Sequence, residues 1–72
     1  MFTASDQALS HRAQAALQSS RYYALRQLEV QETIDGLVIS GQVPSYYQKQ
    51  QAQEIIRLVV SDVVLVNRIE VI

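Results

Sequence analysis

At 72 residues, 49% of them apolar, the chain is read as a single domain over residues 1–72, near the lower size limit for folding without a staple. It has no cysteine and no His/Cys/Asp/Glu set at zinc-site spacing, so its stability must rest on the core, and no cofactor is expected. A net charge of -1 argues against nucleic acid as a partner and against purely electrostatic adhesion to anionic lipid.

No apolar run approaches the ~20 residues of a membrane-spanning helix. Met1-Phe2-Thr3-Ala4-Ser5-Asp6 lacks the basic-then-apolar profile of a secretory signal. The expected location is cytoplasmic if Met1 is the natural start, and periplasmic or envelope-associated if the chain is part of a longer exported protein. In chain order, Thr3 suits a helix cap, with Asp6 placing a carboxylate near the first-turn amides. Leu9, Ala13, Ala16 and Leu17 recur at helical spacing, and Ser19-Ser20 loosens that helix. From Leu28 the period becomes two: Leu28 and Val30 alternate with Gln27, Glu29 and Gln31, predicting a half-buried strand.

Asp35-Gly36 reads as a turn dipeptide, and Leu37, Ile39, Gly41 and Val43 share one face of the returning strand, giving a hairpin. Pro44 ends that strand. Ser45 and Gln48 then fit a capping box. Ala52, Ile55, Ile56 and Val59 form the inward stripe of a second helix. After Ser61-Asp62, Val63, Leu65, Ile69 and Val71 alternate with Val64, Val66, Arg68 and Glu70 in a third strand. A strand-helix-strand crossover makes strands two and three parallel. The predicted fold is α+β, ordered α-β-β-α-β, with two helices packed on one face of a small three-stranded mixed sheet.

The Leu37-x-Ile39-Ser40-Gly41-x-Val43 strand, the Ala52-x-x-Ile55 helix and the Asn67-x-Ile69-x-Val71 ending, in this element order, resemble a BON domain. That family is named for bacterial osmotic-stress and nodulation proteins. The resemblance covers nearly the whole chain in element order, while its motifs cover about the second half. Two turns depart from the family's habit: Asp35 stands where a glycine is usual before strand two, and Ser61-Asp62 replaces Gly-Val before strand three. The resemblance implies a non-enzymatic binding or assembly module of the bacterial cell envelope. Similar domains have been proposed to contact the phospholipid membrane surface, and no lipid-binding motif of the family transfers to particular residues here.

The residues themselves offer two surfaces. Strand one begins and strand two ends at the same end of an antiparallel hairpin, which gathers Tyr22 and Tyr23 near Tyr46 and Tyr47, with Arg21, Arg26 and Lys49 close by. Tyrosine suits membrane interfaces, and the start of the second helix suits an anion, so this end is a candidate contact for membrane phospholipid or an envelope protein. The plainer alternative has one tyrosine of each pair closing the core and the other on solvent. Val38, Val64 and Val66 mark the sheet face away from the helices, a candidate surface for protein–protein interaction, oligomerisation or self-association without lipid. An enzyme is not expected: His11 reads as solvated, Ser40-Gly41 lacks nucleophile-elbow spacing, and Glu29, Glu32 and Asp35 read as surface charges. Asn67 interrupts an apolar face and should make a structural hydrogen bond near a bulge or edge. A KH-type nucleic-acid binder would need a Gly-x-x-Gly clamp and a basic face, and the chain has neither.

Overall fold

A computed structural model describes residues 8–72. The Thr3 and Asp6 cap therefore lies outside the described residues. The elements are α1 (Leu9–Gln18), α2 (Tyr23–Arg26), β1 (Glu29–Glu32), β2 (Gly36–Val43), α3 (Tyr46–Val59) and β3 (Val64–Val71). The strands form one mixed sheet of order β1-β2-β3, with β1 antiparallel and β3 parallel to β2. The α+β architecture and its strand directions follow the expectation.

The register explains the burial. Leu37 is level with Leu65, Ile39 with Asn67 and Val30, and Gly41 with Ile69, so these positions share the helix-covered face. Leu37, Ile39, Val43 and Ile69 are buried there with Leu28 against Ala13 and Leu17 of α1, Leu25 of α2, and Ala52 and Ile56 of α3. Burying side chains of this kind is the main favourable term available to a chain without staples. The opposite face keeps Glu29, Gln31, Ser40, Gln42, Arg68 and Glu70 beside Val38, Val64 and Val66.

Three local details differ from the sequence expectation. Residues Tyr23–Arg26 form a four-residue helix, and Gln27 is its C-cap instead of a sheet residue. The cause is tertiary: Leu25 and Leu28, three apart, are both buried, which favours a helical turn before the strand begins. In the hairpin, Thr33 and Gly36 exchange backbone hydrogen bonds of 2.7 and 3.3 Å, so Ile34 and Asp35 are the two corner residues and Gly36 already belongs to β2. Gly36 is needed because its neighbour β3 approaches closely: an added Cβ would overlap the Val64 carbonyl oxygen. Finally, the capping box is half made. Ser45 Oγ accepts the Gln48 N–H at 3.2 Å, while Gln48 Oε1 is buried with no partner among the described residues.

Candidate functional site

The short helix α2 arranges one end of the molecule. Tyr22 is its N-cap and Tyr23 its first residue, so consecutive tyrosines diverge. Tyr22 turns inward and packs on the core, whereas Tyr23 remains 69% exposed. Pro44 and Ser45 then start α3 at the same end, with Tyr46 and Tyr47 in its first turn at 63% and 58% exposure. The alternative of one core tyrosine and one solvent tyrosine thus describes the first pair and fails for the second. A residue at N1 or N2 of a helix projects from its open end, and both rings stay largely exposed there.

Contacts join the two pairs. The Tyr22 and Tyr47 rings meet edge to face at a centroid distance of 6.3 Å and an interplanar angle of 82°. Arg21 lies over the Tyr22 ring at 5.3 Å, and its Nη2 donates to the Tyr22 hydroxyl at 3.4 Å. Arg26 lies over the Tyr23 ring at 5.6 Å, anchored by an Nη1 hydrogen bond of 2.9 Å to the Ser20 carbonyl. Tyr46 engages Gln50 instead, accepting its Nε2–H at 3.0 Å. Lys49 stands one turn along α3, half-buried. Hydrogen bonding from Arg21 lowers the Tyr22 phenol below its ordinary value, and the same contact raises the Arg21 guanidinium.

The other sequence candidates fall elsewhere. Val38 and Val66 are level on adjacent strands of the open sheet face, and Val64 is level with Gly36 at the hairpin end. That far end also carries Glu32, Asp35 and Asp62, beside the fully exposed Ile34. Arg21, Arg26 and Lys49 stand at the tyrosine end with Glu70, while Arg12 and Arg57 accompany the carboxylates at the far end. A shallow cavity of about 230 Å³ lies at the far end, lined by Leu9, Arg12 and the Val59–Val63 segment. Arg12 is committed there to the Val59 carbonyl at 2.9 Å. His11 is exposed on α1. Among the described residues, no three His, Cys, Asp or Glu side chains gather as a metal site, and no helix is long and apolar enough to cross a membrane.

Two working polar side chains were not singled out or only half read from the sequence. Gln14 bonds the backbone of Leu28, just before β1, and of Val30 within it, a role its place beside the apolar stripe of Ala13 and Leu17 signals only weakly. Asn67 makes the expected structural bonds, to Gln53 Oε1 at 3.2 Å and from the Ile69 N–H at 3.0 Å.

The chain belongs to the BON domain family: the family's model matches residues 5–72. No curated protein and no solved structure matches it. Family membership is consistent with an envelope-associated, non-enzymatic binding module.

Proposed function

We propose that this domain docks its tyrosine end on the anionic phospholipid surface of the bacterial envelope, on the periplasmic side when carried by an exported protein. The observation that supports this reading is the Arg21–Tyr22–Tyr47 and Arg26–Tyr23 cluster with Tyr46 beside it. Exposed tyrosine rings fit the headgroup boundary, being apolar in the ring and wet at the hydroxyl. Basic side chains within a Debye length of an anionic surface each add about 1 kcal/mol. Arg21, Arg26 and Lys49 give this end local positive charge despite a net charge of -1.

Co-sedimentation with zwitterionic and with anionic vesicles, at low and physiological salt, tests it. Binding should require anionic lipid, weaken with salt, and disappear in Tyr23→Ser/Tyr46→Ser, whose exposed positions leave the core intact. No sedimentation with anionic vesicles at either salt would overturn the reading. A second reading, a protein-interaction domain, is favoured by the open sheet face, where Val64 and Val66 are 59% and 39% exposed.

A further inference from the structure

The two edges of the sheet are closed unequally. β1 is four residues long, and Gln14 spans its outward groups: Nε2 donates to the Leu28 carbonyl at 2.6 Å, and Oε1 accepts the Val30 N–H at 3.0 Å. β3 is eight residues long, and among the described residues no strand pairs with its outer edge. Ile72 donates its N–H to the Val43 carbonyl at 2.9 Å. Even-numbered residues of β3 therefore turn their backbone groups to β2, and Leu65, Asn67, Ile69 and Val71 turn theirs outward. Of these outward amides, that of Ile69 is held by the Oδ1 of Asn67.

We infer that this edge pairs antiparallel with β3 of a second copy of the chain, Ile69 facing Ile69 across a two-fold axis. Charge selects the register. Centred on Ile69, the pairing sets Arg68 against Glu70 of the other copy and Glu70 against its Arg68, at the closely spaced rungs of the ladder. Centred one residue earlier, Arg68 would oppose itself, a like-charge pair. Centred on Asn67, each charge would oppose a valine. The Ile69 register also sets Val66 against Ile72 and brings Val71 to the seam, residues 39%, 74% and 44% exposed in the single chain. The contact is isologous and closes at two copies. Asn67 is its gate, because its Oδ1 must release the Ile69 N–H before the central rung can form.

This pairing is independent of the lipid reading, since Asn67, Arg68 and Glu70 lie outside the tyrosine cluster. Sedimentation velocity over a rising concentration series tests it, with circular dichroism confirming the fold of each variant. The parent should show a reversible dimer. Arg68→Glu and Glu70→Arg should each raise the dissociation constant about tenfold or more, as expected for replacing two opposite-charge pairs by like-charge ones. The double variant Arg68→Glu/Glu70→Arg should recover the parent's affinity, and Asn67→Val should tighten it. A parent that stays monomeric throughout the concentration series would overturn the proposal. So would single charge variants that dimerise like the parent, or a double variant that fails to recover. Arg68 and Glu70 are exposed, so the charge cycle remains decisive even if Asn67→Val does not fold.

Discussion

Replacing Gly36 by alanine puts the close approach of β2 and β3 to a direct test. The new Cβ would overlap the Val64 carbonyl oxygen and stand 2.9 Å from both the Val64 carbonyl carbon and amide nitrogen. Ordinary contact begins near 3.4 Å, so the backbone of β3 must retreat by about half an ångström or more at this rung. All three obstructing atoms are main chain, and no rotamer change relieves them. Overpacking of this kind costs about 1–3 kcal/mol. Loss of the terminal rung's hydrogen bonding adds about 0.5–1.5 kcal/mol. A loss of about 2–4 kcal/mol is expected, from a total that for 72 residues lies at about 4–11 kcal/mol. Urea unfolding followed by circular dichroism reads the change as a lower midpoint at unchanged slope. An alanine variant within about 0.5 kcal/mol of the parent would refute the close-approach argument.

Two further outcomes follow from single side chains. Gln14→Ala strips β1 of both its latch bonds and leaves the half-buried Val30 amide unpaired, for an expected loss of about 1–3 kcal/mol in the same urea experiment; an unchanged midpoint would show that water replaces the latch at no cost. The difference in ultraviolet phenolate titration between the chain and Tyr22→Phe should have its midpoint below the ordinary tyrosine value of about 10, and Arg21→Ala should move it back up. A phenol lowered in the folded state adds stability that is fully present above its unfolded value and is lost as the pH falls through the folded one, so the effect belongs to alkaline solution.

The framework was legible because hydrophobic period and punctuation agree. Leu28 and Val30, then Leu37, Ile39, Gly41 and Val43, alternate cleanly, and Pro44-Ser45 marks the start of α3 where the structure has it. Asp35-Gly36 points to a corner one residue too late, because the pair satisfies the local rule while the glycine answers to β3, a strand 28 residues further on in the register of Gly36 with Val64. α2 was hidden for a related reason: four residues carry no period of their own, and only the joint burial of Leu25 and Leu28 selects the helical turn. At the candidate site, the gathering of four tyrosines at one end followed from hairpin geometry. Which ring turns inward did not, since it depends on α2. The Gln14 latch needs the distance between α1 and β1, which no linear pattern encodes.

The parallel pairing has a consequence for how the chain is made. Leu37 meets Leu65 across 28 residues, whereas Glu32 meets Leu37 across five. A ribosome delivers α1, α2 and the hairpin first, but until β3 emerges one flank of β2 has no neighbour and the core lacks the buried Ile69. The strand that completes the sheet is synthesised after both its partner strand and the helices that cover it.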